Sequence, residues 1–320
     1  MGVQQAGQRA TPRLDLGEAV MEYVSNQIEF IATMVLPIFR TQKKAATFSA
    51  ITREGITRDA DTKRAPRTAY NRDDYETEDK AYNCEEHGLE GPLDDSEREL
   101  YQSDFDAELV TTMITTRRVL QAQEKRVASA VFNTAVWTGA ALFTDYSANP
   151  WDNPASDVLA QVRAAKKKVR SSFGLNPNAL ILGDENVDRL KANDAIKDAI
   201  KYTARLTDQE LRNALADLFG IPAIIVGGAI RNSAKEGQAF QSQDIWSDDY
   251  AMLAVLATDG QNLAQPSMGR TFLWVTDSPE NTVVEQYRDE QHRSDIIRVR
   301  QHVDELVIDP FFAHLLKVDA

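Results

Sequence analysis

The residues that could do chemistry are few, and the densest group is the acidic run from Asp73 to Asp79. Carboxylate oxygens are the ligands that hard divalent cations prefer. The run has no glycine at the spacing of a calcium-binding loop, and strand alternation would divide its carboxylates between two faces. Three interpretations therefore stay open: a cation site, a solvated acidic edge, or an electrostatic docking surface for a basic partner.

Other candidate chemical groups are isolated. His292 and His302 could share one face of extended chain, but the four histidines are too scattered for a zinc site. Gly227-Gly228 lacks the third glycine and the following helix of a dinucleotide-binding turn, so a tight turn is the better interpretation. No nucleophile elbow, phosphate-binding loop or zinc-protease motif occurs in the sequence. We therefore predict no catalytic residues, no cofactor and no metal.

Composition excludes several classes of protein. The chain has 320 residues, of which 42% are hydrophobic, so it can bury a sizeable core. Its formal charge of −13 argues against tight, sequence-independent binding of nucleic acid, which requires a basic surface. The single cysteine, Cys84, rules out an internal disulfide and is expected to be an inert thiol. No apolar run approaches the roughly 20 residues of a membrane span, and no signal-peptide pattern is present.

The most unusual feature is an arm over residues 40–91, where charge is sorted by position. Residues 40–72 contain nine Lys/Arg and three Asp/Glu, whereas residues 73–99 contain two Lys/Arg and twelve Asp/Glu. Strand-like pieces occur at Thr47–Thr52, Thr68–Tyr75 and Lys80–Leu89. We expect the arm to form no core of its own. Long polar excursions of this kind are usually functional, and we expect this one to lie on another molecule.

Helical and strand patterns surround the arm. An amphipathic helix is predicted at Asp15–Thr33, and a helix of roughly 38 residues, about 57 Å long, from Ser96 to Asn133. Its apolar stripe does not keep a strict heptad, which favours packing against a sheet over a coiled coil. Beyond Gly174 short buried strands alternate with helices, and a polar loop covers residues 231–244. Residues 283–307 alternate apolar and charged side chains, as in a half-buried antiparallel strand.

This order of segments resembles the major capsid proteins of tailed bacteriophages, whose Hong Kong 97-type fold is shared with encapsulin shells. The resemblance covers nearly the whole chain and depends on the order of its segments, because each one alone is weak. Besides the arm and the long helix, the matching segments are Asn176–Gly183, Asp198–Tyr202, Leu215–Ile221, Ile245–Trp246 and Met268–Phe272. A fold resemblance does not by itself fix function.

The resemblance implies an α+β fold with five parts. These are an N-terminal arm (residues 1–39), an extended β loop (40–91), a peripheral domain with the long spine helix (92–174), an axial domain (175–277), and a return to the peripheral sheet (278–320). It implies a virion protein, assembled in the host bacterial cytoplasm as pentamers and hexamers into an icosahedral shell that encloses phage DNA without gripping it. Scaffold, portal and decoration proteins are implied partners, and no membrane is.

Two alternatives stay open. An encapsulin-like nanocompartment is the nearer one, although encapsulins commonly have a shorter extended loop. A soluble α+β metal-dependent enzyme is the more distant one, since it would need carboxylates that converge in a pocket.

Two sets of residues are predicted to make contacts between subunits. The basic set of the arm is expected to meet the acidic set of an adjacent copy, because complementary patches guide docking. The basic set is Arg53, Arg58, Lys63, Arg64 and Arg67, and the acidic set is Asp73, Asp74, Glu76, Glu78 and Asp79. A further set, expected near the capsomer centre, is Arg231, Asn232, Lys235, Glu236 and Gln241. Lys63 has no flanking pattern that identifies an isopeptide partner, so cross-linking is not predicted.

Overall fold

Two large β-sheets with helices packed against them form the part of the chain that the structure, a computed structural model, describes. The described residues are 11–13, 16, 29–53, 57–72, 74, 76–101, 106–200 and 208–320. The strands are β1 (Thr11–Pro12), β2 (Ile38–Thr41), β3 (Ala45–Ile51), β4 (Thr77–Asn83), β5 (Glu85–Asp94), β6 (Phe143–Asp145), β7 (Ala179–Gly183), β8 (Ala223–Gly227), β9 (Ile230–Asn232), β10 (Ser242–Asp244), β11 (Tyr250–Ala254), β12 (Gly269–Trp274), β13 (Val283–Asp289), β14 (Ser294–Val307) and β15 (Ala313–Lys317). The helices are α1 (Ala32–Val35), α2 (Asp95–Tyr101), α3 (Ala107–Val131), α4 (Val158–Phe173), α5 (Asp184–Ala192), α6 (Asp194–Ile200), α7 (Asp208–Phe219) and a short 3-10 helix (Pro310–Phe312).

The first sheet is built around β14, which pairs with β13 and β12 along one side and with β5 along the other. β1 extends the sheet beyond β13, and β2 lies parallel to β12 at the opposite edge. Helix α3 packs on one face, where Val119 meets Ile297 and Val299 in a small apolar cluster. The predicted alternation in residues 283–307 is confirmed only over residues 297–300, because His302, expected on the outward side, is buried together with Gln301 and Val303. The residues also form two strands, joined by a turn at residues 290–293, rather than one.

The second sheet has the strand order β6-β15-β11-β7-β8. Its inner strand β7 is buried at all five positions, as the short apolar run predicts for a strand covered on both faces. Helix α4 covers the sheet, and its buried side chains Val158, Val162 and Val169 recur at helical spacing. The resemblance assigns residues 278–320 to the peripheral sheet, but only β13 and β14 lie in the first sheet. β15 lies inside the second sheet instead, between β6 and β11.

The long helix is shorter than the sequence predicts. Helix α3 has 25 residues and begins at Ala107, because Asp106 takes an extended conformation and its side chain accepts a hydrogen bond from the backbone N–H of Leu109 (3.1 Å). This N-cap ends any continuous helix from Ser96, and residues 95–101 form the separate helix α2. The prediction of a single helix to Asn133 is therefore wrong at its N-terminal end, where only an N-cap aspartate marks the break.

The amphipathic helix predicted at Asp15–Thr33 lies mostly outside the described residues. At its described end, α1 begins only at Ala32, after Ile31 as its N-cap residue. The segment Asp198–Tyr202 likewise runs past the end of α6 at Ile200 into residues outside the described part.

A buried carboxylate joins three parts of the fold. Glu124 of α3 is fully buried and accepts hydrogen bonds from the backbone N–H groups of Ile31 and Ala32, each at 2.9 Å. Its Oε1 also accepts from the indole Nε1 of Trp246, at 2.5 Å. Burial raises the pKa of Glu124, and the three donors oppose that rise. Glu124 thus ties the start of α1 and the segment before β11 to the long helix.

A buried histidine has a similar role in the second sheet. His314 of β15 is fully buried, with Nδ1 at 2.8 Å from the Ala141 carbonyl oxygen and Nε2 at 2.8 Å from Thr144 Oγ1. The Lys168 ammonium donates to Thr144 Oγ1 at 2.6 Å, so the hydroxyl proton can be given to Nε2. Burial lowers the pKa of His314 to about 4, so the ring is neutral at pH 7. The tie connects β15 to the segment that leads into β6.

Two lysines of α4 make contacts within the chain, since Lys166 donates to the Gly220 carbonyl and Lys168 to the Thr144 hydroxyl. One local prediction is corrected. Gly227 is not a tight-turn residue: it ends β8 in ordinary extended pairing with Gly183. A Cβ at Gly227 would overlap the indole of Trp246, so close packing of that ring requires the glycine.

Candidate assembly surfaces

The base of the extended loop is anchored to the chain's own first sheet. β3 and β4 pair as an antiparallel hairpin from Ala45 opposite Asn83 to Ile51 opposite Thr77. The Tyr82 ring stacks on Phe272 of β12 with centroids 4.4 Å apart, and Phe48 lies 5.4 Å from the same ring. The expectation that the arm lies on another molecule is therefore wrong at its base, since Ala46 and Phe48 of β3 and Tyr82 of β4 pack in an apolar cluster of the same chain.

Cys84 lies in the same apolar cluster. It is fully buried, and its thiol lies 3.5 Å from the carbonyl oxygen of Phe272, to which it can donate. Burial, with a smaller contribution from the Asp304 carboxylate, raises the pKa of Cys84 to about 11. The thiolate is therefore scarce at neutral pH, which supports the interpretation of an unreactive structural thiol.

Tyr82 offers a way to loosen the loop without touching the two main cores. The variant Tyr82→Ala removes a buried ring and its hydroxyl contact with Thr41 Oγ1 at 2.8 Å, so we expect it to lower the free energy of unfolding by about 3 kcal/mol. Exchange of the β4 amide hydrogens should speed up more than that of β7. Chemical denaturation and hydrogen exchange measure both effects, with the exposed Tyr70→Ala as control. Equal acceleration in β4 and β7 would contradict the anchoring role.

The acidic end of the loop also pairs within the chain. β5 runs antiparallel to β14 over ten positions, from Asp94 opposite Ser294 to Glu85 opposite Val303. Glu90 of β5 forms an ion pair with Arg298 at 2.7 Å. A Cβ at Gly91 would lie 2.7 Å from both Thr111 and Thr115 of α3, so the helix crosses this strand closely. The stretch between Glu85 and Asp94 is thus part of the chain's own sheet rather than a free arm.

The distal part of the loop is exposed throughout residues 57–72. It is not the strand predicted at Thr68–Tyr75, at least where it is described: residues 66–67 form a turn in which Arg67 has φ of 67°. Arg64 donates to the Thr68 carbonyl at 2.7 Å and covers the Tyr70 ring at 4.5 Å. The Asn71 side chain closes the segment by donating to the Asp61 carbonyl at 2.7 Å. These hydrogen bonds and the Arg64–Tyr70 contact give the loop tip a defined conformation without packing in an apolar core.

The predicted basic set divides into two groups. The Arg53 guanidinium lies over the Phe311 ring of the same chain, 4.4 Å from its centroid, so part of this side chain serves packing within the chain. The other four, Arg58, Lys63, Arg64 and Arg67, are exposed on the tip. None of these four makes an ion pair with another described residue. The tip therefore presents cations that are available to another molecule.

The predicted acidic set lies along the stem rather than at the tip. Asp73 lies outside the described residues, while Asp74 and Glu76 are exposed. Glu78 pairs with Lys80 at 2.8 Å, and Asp79 accepts from the Ser49 hydroxyl at 2.9 Å. No three His, Cys, Asp or Glu side chains in the described part of the chain are placed to hold a metal ion together. The basic tip and the acidic stem thus belong to the same extended loop. In its described part, no ion pair connects the four predicted tip cations to Glu76, Glu78 or Asp79.

The second candidate surface is a hairpin where the sequence predicts a loop. β9 and β10 pair from Asn232 opposite Ser242 to Ile230 opposite Asp244. Asn232 Oδ1 accepts from the backbone N–H groups of Ala234 and Gln241 at 3.0 and 3.1 Å, which closes the turn. Arg231 donates to Gln243 at 2.7 Å across the two strands. Side chains at the tip are exposed, namely Lys235, Glu236, Phe240 and Gln241.

No local pattern in the sequence marks Glu124 or His314, the two buried polar groups that join separate parts of the fold. The neighbouring residues in the sequence do not distinguish either from an exposed polar residue, and only the folded structure shows that each is buried and what it contacts. In the described part of the chain, helices are too short or too polar to cross a lipid bilayer.

Comparison with known proteins shows which fold this architecture has and which proteins the chain is similar to. The chain is 27% identical over 250 residues to the major capsid protein of Burkholderia phage BcepMu, a match that covers 76% of this chain and 78% of that protein. A phage-related protein of Bordetella bronchiseptica RB50 has the same architecture, with a TM-score of 0.74, 20% identity, and coverage of 97% and 98% of the two chains. The chain has the Hong Kong 97-type fold and is similar in sequence to phage major capsid proteins. These similarities support a shell-forming function in a phage capsid.

Other comparisons place the chain more broadly. The SrpI encapsulin of Synechococcus elongatus PCC 7942 matches with a TM-score of 0.54 and 11% identity, over 90% of this chain and 86% of that one. At that identity the likeness shows a shared fold only. No family model matches the sequence.

Proposed function

We propose that the chain assembles as pentamers and hexamers into an icosahedral shell that encloses phage DNA. The observation that carries the proposal is the match to a phage major capsid protein over three quarters of the chain, on a fold shared along its whole length with a phage-related protein. An acidic chain suits this task, because a shell of subunits that each carry a net charge of −13 can enclose DNA without binding it tightly.

The extended loop is proposed to reach a neighbouring subunit. Its base is held by Tyr82 and β5 in its own chain, whereas its tip carries Arg58, Lys63, Arg64 and Arg67 into solvent. Fixing a polar tip of this kind costs conformational entropy of about 1 to 2 kcal/mol per residue, which contacts outside the monomer can offset. Asp74, Glu76 and the stem carboxylates of the next copy are the proposed acceptors. Arg53 is expected to contribute less, because it already packs on Phe311.

The five parts inferred from the resemblance are proposed as the working domains of the subunit, with β6, α4 and β15 moved to the axial domain and β12 to the peripheral domain because of their sheet pairing and packing. The β9–β10 hairpin is proposed to lie near the capsomer centre. Its exposed tip, with Phe240 66% exposed, supports a contact surface there. A shell structure with this hairpin at the capsomer rim would contradict the proposal.

Scaffold, portal and decoration proteins, and assembly in the host cytoplasm, complete the proposed setting. The decisive experiment on the function itself is the state of the purified chain. Size-exclusion chromatography and negative-stain microscopy should show capsomer-sized rings or megadalton shells. A monomer at every concentration and salt condition, with a metal-dependent activity, would instead support the soluble enzyme.

Charge reversal tests the role of the loop tip. In the triple variant Arg58→Glu, Lys63→Glu and Arg64→Glu, repulsion from the acidic stem of the neighbour should cut shell yield at least about tenfold at low salt. Rising salt should reduce the difference, because exposed charges are screened. Yield is measured by sedimentation.

The matched control reverses three exposed cations on other elements, Lys125, Arg163 and Lys167. It should leave the yield close to that of the unaltered chain. Unchanged yield of the tip variant at both low and high salt would refute the proposed contact.

An encapsulin-like compartment is the second candidate, because an encapsulin shares the fold. A phage capsid and an encapsulin-like compartment differ in what the shell holds. Shells purified from cells that express the whole phage should contain DNA if the proposed function is right, and shells filled with a cargo protein would favour the compartment.

A further inference from the structure

A cavity of about 270 Å³ lies between the base of the extended loop and the body of the chain. Its walls are largely apolar and come from three separate segments: β3, residues 263–270, and residues 308–312. Phe48 and Ala50 line it from β3, and Leu263 and Phe312 from the other two. The cavity is therefore walled on one side by the same loop that the proposed function sets against a neighbouring subunit.

A buried cation lines this cavity. Arg270 of β12 is only 1% exposed, and its guanidinium donates to the carbonyl oxygens of Asn262, Gln265 and Gly269 at 3.0 to 3.3 Å and to the Ser267 hydroxyl. These four acceptors are neutral. The fifth donor, Nε–H, is buried and has no hydrogen-bond partner among the described residues.

In the described part of the chain, the charge of Arg270 has no carboxylate partner. Asp259 influences the arginine only from a distance, and no described carboxylate lies within ion-pair distance of it. Asp309 also lines the cavity, but its carboxylate accepts from the backbone N–H of Phe311 at 2.9 Å and caps the 3-10 helix. A buried charge is costly unless it is paired, and a carboxylate is the geometric match for a guanidinium.

We infer that this cavity is a receptor for an acidic side chain of a second copy of the chain, with the carboxylate on Arg270 and an apolar neighbour against Phe48 and Leu263. The inference rests on the proposed function and names a second contact, independent of the loop tip. The chain offers the matching chemistry on its surface, because Leu100 is 68% exposed and directly follows the exposed Glu99 of α2. Charge complementarity thus favours a copy of this acidic chain as the occupant.

The test fills the cavity without removing the arginine. Ala264 lines the cavity and is exposed in the single chain, so Ala264→Leu should leave the melting temperature of the unassembled protein nearly unchanged and lower shell yield at least about tenfold. The control is Ala164→Leu on the exposed face of α4, which should assemble normally. Arg270→Gln is a second variant, but it also removes bonds to the 262–269 segment, so its folding must be checked first.

Cryo-electron microscopy of the assembled shell gives the direct reading. An Asp or Glu of the adjacent copy should lie about 3 Å from the Arg270 guanidinium. A cavity that holds only solvent, or normal assembly of Ala264→Leu, would overturn the inference while leaving the proposed function intact. Failure of the unaltered chain to form any shell would refute the proposed function instead.

Discussion

Replacing Glu124 by leucine is expected to lower the free energy of unfolding by about 4 kcal/mol. The side chain accepts from Ile31, Ala32 and Trp246, so leucine leaves three buried N–H groups without acceptors, each of which costs about 1 to 3 kcal/mol. Glu124→Gln should cost less, because its amide oxygen still accepts while its NH2 group faces a donor. Urea denaturation of the unassembled protein measures both variants.

The control for Glu124 is Lys125→Leu, a change from an exposed charged residue to leucine at the next position of α3. It should change stability by less than about 0.5 kcal/mol. A loss below about 1 kcal/mol in Glu124→Leu would mean that the three donors find other partners. In that case Glu124 would not be the tie between α1, α3 and Trp246.

His314 should make the protein sensitive to mild acid. Its pKa in the folded chain is about 4, against about 6.5 in an unfolded chain. Between these two values the unfolded state binds a proton that the folded state does not, so stability falls as pH drops from 6.5 to 4. The full loss is about 3 kcal/mol below pH 4, and none is expected above pH 7.

Asp248 changes stability with pH in the opposite direction to His314. The effect of His314 must therefore be measured as the difference between the unaltered chain and a His314 variant. The pKa of Asp248 is raised to about 6 by burial and by the nearby carboxylates Asp244 and Glu185, so its protonation stabilises the folded state as pH falls. The variant His314→Gln keeps a polar side chain and cannot titrate. Stability measured from pH 7.5 to pH 4 should fall less steeply in His314→Gln, and parallel curves would contradict the prediction.

The parts of the fold that depend on local pattern were predictable. The short buried strands beyond Gly174, of which β7 is one, were predicted from the sequence because a strand buried on both faces has a continuous apolar run. The break at Asp106 was not predictable in the same way. An aspartate inside a helical pattern is common, and only its backbone conformation shows that it is a cap.

The candidate surfaces show the same division. The sorting of charge along the loop was visible in the sequence, and it locates an exposed tip that carries four of the five predicted cations. The anchoring of the base was not visible, because Tyr82 and Cys84 meet Phe272 across nearly two hundred residues. The packing of Arg53 on the Phe311 ring is likewise a contact between residues far apart in the sequence. Pairings over such distances leave no local pattern, so the sequence shows what the loop presents and the fold shows what holds it.

The position of β15 has a consequence for how the subunit is made. The strand lies between β6 and β11, and it follows both of them along the chain, so the ribosome makes it later than either. Until β15 emerges, β6 lacks its described strand partner and β11 keeps an open edge, so the second sheet cannot close before β15 is made. A polypeptide that terminates before β15 would therefore lack a complete second sheet. Because this strand is made late and lies in the interior of a sheet, we expect incomplete chains to remain misfolded and not to enter a shell.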